Sequence, residues 1–430
     1  MRPFQIITLS VFAVLALLGL LLFATFKGTG TNKSVGNVTV WGTLPASAVN
    51  AAIDDLRRNH KEFGTITYVE RDPGTFDSDL SEAIASGSGP DLLITTQERL
   101  RAEASKLSVI PFSSIPERTY RDTYLPIHEL FLTSTGTYGI PLAVDPLVLY
   151  YNRATLVSAN VALPPSTWEA VVGLAPHLTA RTGVGTIQKS AIALGAYDNI
   201  PAARAIVSLL LLQSGSHIVE TSTAGTRGAL TTGVGPDASG VAPAESAMNF
   251  YTQFADPAKV VYSWNRSLPD ARQTFISGDT AFYIGFASER SLIAASNPHL
   301  DFDMAPIPQP QTAASKTDYG IAYAFALPKA SGNPTGAFRV ASALASKAEA
   351  PLLVKPAGMA PAIRSLLTPS SNDAYAPVVY SQALIASGWL SPSPAVTDRI
   401  FAAMINSIIS GSATVHDALS TADESLTAAL

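Results

Sequence analysis

No cysteine occurs in the 430 residues. That absence excludes disulfides, thiolate metal sites, cysteine nucleophiles and any lipid anchor attached through cysteine. Charge is scarce as well: Asp, Glu, Lys and Arg make up 14% of the chain, and the formal net charge is only −5. There is no basic run or stripe, so the electrostatic footprint of a nucleic-acid-binding protein is missing. The six histidines, at 60, 128, 177, 217, 299 and 416, show no metal-ligand spacing and read mostly as surface residues. No internal repeat of fixed period is present. Two glycine-containing strings, TGVGT at 182–186 and TTGVGPDASG at 231–240, lack the lysine and hydroxyl of a P-loop and the strand-to-helix setting of a dinucleotide fingerprint. Both read as loops, the second as a surface insertion.

Apolar residues, by contrast, reach 47%. That share suits a large buried core and argues against disorder. A chain of 430 residues exceeds what one core usually holds, which predicts two lobes or domains. Between Arg2 and Lys27 no charge interrupts the sequence, and Ile6 to Phe26 reads IITLSVFAVLALLGLLLFATF. At ~1.5 Å per residue such a helix spans a hydrocarbon core of roughly 30 Å. The run is long for a cleaved signal and ends FATFKG, a poor cleavage site, so an uncleaved transmembrane anchor over 1–27 is the preferred reading. Residues 28–36, GTGTNKSVG, follow as a small polar linker.

From Asn37 the pattern becomes βαβαβ. NVTVW (37–41), TITYV (65–69) and PDLLI (90–94) predict strands. Between the first two, Val49, Ile53, Leu56 and Phe63 keep helical spacing until Gly64. Strands alternating with helices imply a parallel sheet covered on both faces. Tyr138 to Asn152 is a long extended stretch containing Pro141 and Pro146. Prolines at that spacing do not suit one uninterrupted central strand; they suit a segment that leaves one sheet and enters another. Ser166 to Glu169 predicts a capping box at the next helix. Further helices are predicted over 201–213, 245–255, 269–277, 335–345, 395–410 and 414–428, and further strands over 280–284 and 321–327. Trp168 reads as core and Asp91 as a structural strand-end residue. Of Tyr150 and Tyr151, alternation makes one a packing residue.

Six strings together resemble the family of extracellular solute-binding proteins that includes maltodextrin-binding protein. They are GSGPDLLITTQERL (87–100), YGIPLAVDPLVLYYN followed by PPSTWEAV, FISGDTAFYIG (275–285), GIAYAFALPKASGNPTGAFRVASAL (320–344), KPAGMAPAIRSL (355–366) and SGSATVHDAL near the end. They follow the family's order across nearly all of the chain after the anchor. The resemblance implies an α/β, two-lobed periplasmic-binding-protein-like type II fold with hinge crossovers, preceded here by the N-terminal transmembrane helix. Lobe one is placed at 37–142 plus 318–365, and lobe two at 143–317 plus 366–430. It implies a non-enzymatic, monomeric receptor without cofactor or metal. Such a receptor delivers a sugar or similar polar solute to the permease of an ABC transporter, with the binding domain on the extracytoplasmic side of the cell membrane.

In open α/β sheets the ligand crevice lies outside the strand C-termini. That rule selects Trp41 and Thr43 after the first strand, and Thr95, Gln97, Glu98 and Arg99 after the third. Trp41 divides evenly between cleft wall and core, and Glu98 with Arg99 also reads as a solvated pair opening a helix. By resemblance, Glu98 and Arg99 take the place of an acidic–basic pair that contacts sugar hydroxyls, and Thr95 that of a tryptophan. Asp145 falls at another hydroxyl-binding carboxylate, and Tyr197 and Asp198 near a polar–aromatic contact group. Ser288 stands where the family commonly has tryptophan, and no aromatic matches the family's near Asp398. Trp264, Phe286 and Tyr319 are the candidate replacements. Two other functions compete: a sensor or surface capture module of the same fold with no importer, and a carbohydrate-active enzyme using Glu98 and Asp145 as paired carboxylates.

Overall fold

The computed structural model describes residues 34–183, 185–223, 225–232, 242–368 and 373–430. The apolar segment Ile6–Phe26, most of the 28–36 linker and most of the 231–240 string lie outside the described residues. Among the described residues no helix is long and apolar enough to cross a membrane. Val35 is already buried and its N–H bonds the Glu62 carbonyl, so packing begins before the first strand.

The βαβαβ reading is met. β1 (Asn37–Gly42) pairs in parallel with β2 (Thr65–Glu70) on one side and β3 (Leu92–Thr96) on the other. Helix α1 (Ala46–Asn59) covers them with Ala48, Val49, Ala52, Ile53 and Leu56, while Arg57 and Arg58 in its last turn complement the helix dipole. Helix α2 (Phe76–Ala85) buries Phe76, Leu80 and Ala83. Asp91 is structural: its carboxylate accepts from the Thr39 and Asn333 N–H groups and the Ser331 hydroxyl. The short helix α3 (Gln97–Glu103) leaves the C-terminal end of β3 directly.

The stretch containing Pro141 and Pro146 forms a single strand, β4 (Ile140–Asn152), buried throughout except at Tyr151. Its continuity corrects the sequence reading, but the change of sheet is real. Residues 140–146 pair with β8 (Asp318–Ala326), whereas Leu147–Tyr151 pair with β6 (Thr280–Phe286). The prolines fall where a missing N–H costs least. Pro146 stands at the change of partner, and Pro141 faces Ala324, where the β8 register slips. β5 (Ile187–Ile192) lies parallel to β6, and β7 (Phe302–Ala305) lies on the other side of β4. The strand order is β2-β1-β3-β8-β4-β6-β5.

One core cluster gathers apolar residues from 35–143 and 325–359; the other runs through the junction into the second half. Tyr150 packs fully against Phe275, Tyr283 and Phe302, and its neighbour Tyr151 is half-buried, as alternation requires. α4 (Trp168–Leu178) is capped by Thr167, whose hydroxyl accepts from the Ala170 N–H at 3.3 Å. The capping box over Ser166–Glu169 does not form, because Glu169 turns away to accept from the Gln311 N–H. α5 (Ala203–Gln213) is almost wholly buried, and α6 (Pro243–Thr252) packs beside it. α7 (Pro334–Leu344) covers the first half. Two long helices, α8 (Pro394–Ile409) and α9 (Val415–Ala429), close the second, separated by Gly411 in the left-handed region.

Candidate functional site

Strand polarity decides where loops converge. β8 is antiparallel to both β3 and β4, so β3 and β4 run the same way. β6 is antiparallel to β4, and β5 follows β6. The C-terminal ends of β1 and β3 therefore point towards the middle of β4 from one side. Those of β6 and β5 point towards it from the other. Ligand crevices in open α/β sheets form at such ends.

A chain of charge-assisted hydrogen bonds crosses this junction. Glu98, in the first turn of α3, accepts from Arg204 Nε at 3.2 Å and from Arg204 Nη2 at 2.9 Å. Arg204, at the start of α5, also donates through Nη1 to Asp398 on α8. The Tyr197 hydroxyl donates to the other Asp398 oxygen at 2.7 Å, and the Tyr319 hydroxyl at the beginning of β8 donates to Glu98. A guanidinium is planar and suits this side-on carboxylate geometry. Glu98 is 4% exposed, so the pair is screened little by water. Burial works to raise the Glu98 carboxyl, but the Arg204 charge and hydrogen bonds outweigh it and hold Glu98 below the usual carboxylate range. Burial likewise opposes the Arg204 charge, yet Glu98 and Asp398 raise its pKa above the ordinary value.

The other sequence candidates divide. Gln97 is consumed by β8: its amide donates to the Gly320 carbonyl at 2.9 Å and accepts from the Ala322 N–H at 2.7 Å. Arg99 turns away from Glu98, pairs with Asp77 at 2.8 Å and lies over the Phe76 ring. It is therefore neither a solvated partner nor a free donor. The Thr95 hydroxyl donates to the buried Glu103 carboxylate. Trp41 is buried, with Arg71 stacked 3.6 Å over its ring. Trp264 is core: it is fully buried, and its indole N–H donates to Asn199 at 3.1 Å. Asp198 is exposed and accepts from the Asn406 amide. Thr43, Phe286 and Ser288 are half-buried.

Asp145 sits on β4 at the change of sheet. It accepts from the Ser288 N–H at 3.1 Å, which joins two candidates 143 positions apart. Burial pushes its carboxyl up to about 7, against the Ser288 hydrogen bonds and with the Glu289 charge adding. Asp318, on the other crossing strand, has one carboxylate oxygen buried without a partner. Burial pushes Asp318 well above its ordinary range, and the nearby Asp145 charge adds to this.

Arg204 and Asp398 are the residues sequence reasoning missed as contacts. A signal existed for the first, since Arg204 is the lone charge in PAARAIVSLLLLQ. Asp398 stood out only as the place of a missing aromatic. Each of the four tryptophans is buried: Trp168 bonds Gln213, and Trp389 bonds Ser208. Among the described residues no group of three or more His, Asp or Glu side chains is placed to hold a metal ion. Five of the six histidines are exposed, as the sequence reading expected of most; His128 is the exception, fully buried, and burial pushes its pKa down to about 4.

Residues 44–351 match the family model described as bacterial extracellular solute-binding protein. No curated protein matches the sequence. The fold is shared with solved structures at low identity. A cyclic alpha-maltosyl-1,6-maltose binding protein from Arthrobacter globiformis superposes with a TM-score of 0.74 at 19% identity, over 91% of this chain and 98% of that one. An ABC transporter solute-binding protein from Thermotoga lettingae, bound with alpha-D-tagatose, gives 0.70 at 19% identity, covering 91% and 99%. The GacH receptor of Streptomyces glaucescens, solved unliganded and with acarbose, gives 0.70 at 16% identity, covering 92% and 98%.

Proposed function

We propose that this chain, which belongs to the bacterial extracellular solute-binding protein family, is the receptor of an ABC importer and takes a compact, hydroxyl-rich solute, a sugar or polyol, between its two lobes. The observation that carries the reading is the convergence of four strand C-termini on one junction, where Glu98, Arg204, Asp398, Tyr197 and Tyr319 gather. Sugar hydroxyls both donate and accept, so they match a carboxylate facing a guanidinium and two phenols. Long oligosaccharide grooves use open aromatic faces for the C–H side of each ring. Here every tryptophan is buried and Trp41 is covered by Arg71, which favours a small ligand held by hydrogen bonds.

The lobes are taken as 37–142 plus 318–365 and 143–317 plus 366–430. The crossings are then β4, β8 and the return through 360–387, which pairs with β4 at Ala360–Pro361 and with β8 at Ala386–Ser387. Hinge closure is the general behaviour of periplasmic binding proteins and is taken over from them. Binding without turnover is the expected outcome, as for the solute-binding family to which the chain belongs. The segment Ile6–Phe26 serves as an uncleaved anchor that keeps the receptor near its permease at high effective concentration.

A thermal-shift screen against sugars, polyols and amino acids tests the reading. A solute at ~100 times its dissociation constant adds about 2.7 kcal/mol to stability, and the incubated solute should be recovered chemically unchanged. Stabilisation by amino acids alone, or recovery of hydrolysed sugar, refutes it. For the anchor, mass spectrometry of the membrane-bound protein should find the N-terminal peptide intact; a mature end near residue 28 refutes tethering.

A further inference from the structure

Glu98 and Arg204 are 106 positions apart in sequence and belong to opposite halves of the sheet. Glu98 is carried by α3, which follows β3; Arg204 is carried by α5, which follows β5; Asp398 lies on α8, packed against α5. We propose that this carboxylate–guanidinium–carboxylate chain is a latch that holds the two lobes together without any solute, and that solute enters by displacing Glu98 from Arg204. The proposal rests on the reading of this junction as the ligand cleft.

Three observations carry it. The Glu98–Arg204 contact is side-on through two nitrogens, a geometry that needs both helix ends to approach closely and in one orientation. Each charge keeps a partner on its own side. Tyr319 stays with Glu98, and Asp398 with Tyr197 stays with Arg204, so separation exposes two preassembled half-sites rather than stranded charges. The contact is also reinforced nearby. The Ser391 hydroxyl donates to the Glu98 carbonyl at 2.8 Å, and Arg101 on α3 donates to the Leu430 carbonyl at the end of α9 at 2.7 Å. A hydroxyl pair placed between the half-sites donates to Glu98 and accepts from Arg204, replacing the latch with a bridged ligand. Ligand and latch thus compete for the same atoms, and only a solute offering both donors and acceptors can replace it without loss.

The absence of native cysteine makes the test direct. Ser81 and Ser158, both exposed and on opposite halves, are replaced by cysteine in the full chain and spin-labelled in detergent, and their separation is measured by pulsed dipolar spectroscopy without added solute. The expected result is one narrow short-distance population. Arg204→Met should shift most molecules to a longer, broader distribution, Glu98→Gln should do so in part, and Arg204→Lys should retain the short population. Raising salt from 0.05 to about 1 M should move the parent towards the long population, because salt stabilises the separated, solvent-exposed charges of the open state more than the buried pair. A parent distribution that matches both Arg204→Met and Glu98→Gln overturns the latch. That failure would leave the solute screen untouched, since no ligand enters this measurement; a screen without hits would leave the distances untouched in turn.

Discussion

Replacing Asp145 with asparagine should stabilise the protein more at pH 8 than at pH 5. Asp145 is 3% exposed, and it accepts from the Ser288 N–H at 3.1 Å, a bond an asparagine carbonyl also accepts. Desolvation dominates, so the folded carboxyl titrates near 7 against an ordinary value of 3.8. Between those values the native state keeps a proton that the unfolded chain has released. Stability from this group is therefore complete below pH 3.8 and is lost as pH rises through about 7. At ~1.4 kcal/mol per pH unit the whole interval corresponds to about 4 kcal/mol, of which about 3 kcal/mol falls between pH 5 and 8. Asparagine carries no proton to lose, so the stability difference between variant and parent should rise by that amount over the range. Asp318 adds in the same direction, since removing the Asp145 charge relieves part of its own upward shift. Urea titrations followed by tryptophan fluorescence, at constant ionic strength from pH 5 to 8, measure the difference. A difference that stays flat to within ~0.5 kcal/mol, the scale of an ordinary surface substitution, would refute the claim that burial raises this carboxyl towards neutral pH.

Other substitutions separate packing from binding. Trp264→Phe should cost about 1–3 kcal/mol through the lost Asn199 hydrogen bond and the cavity left, while the half-saturation concentration of any solute stays unchanged; a large affinity loss would return Trp264 to the cleft. Gly195→Ala should destabilise by at least ~2 kcal/mol, because φ is +93° and the added Cβ would lie 2.7 Å from the Ala255 nitrogen; an unchanged melting curve would contradict that close approach. At the start of α4, Thr167→Ala should cost ~1 kcal/mol and Ser166→Ala less than ~0.5 kcal/mol in the same chemical-denaturation assay. The reverse order would restore the capping box with Ser166 as the cap.

Local order was legible in the sequence because it follows from periodicity and turn residues. The βαβαβ opening, the α1 stripe from Val49 to Leu56 and the paired terminal helices all appear where spacing places them. Pro146 marked a real change of sheet, although extended backbone on both sides let β4 continue as one strand. The capping register slipped by one residue because Glu169 found a better acceptor role at the Gln311 N–H, a partner no local rule reveals.

The site was half legible. Strand C-termini, and the likeness to a known family, picked out Glu98, Asp145, Tyr197 and Tyr319, and the fold brings all four to the junction. Nothing local says that Arg99 turns inward to Asp77 while Arg204, a solitary charge in an apolar helix, crosses to Glu98. Composition and pattern by themselves determined the alternation of strands and helices and the ends of the strands where a ligand would be met. Which side chains face each other there was decided only when two sheet halves met along β4. Contacts between residues 106 and 194 positions apart depend on where whole helices land, and no short-range periodicity encodes that.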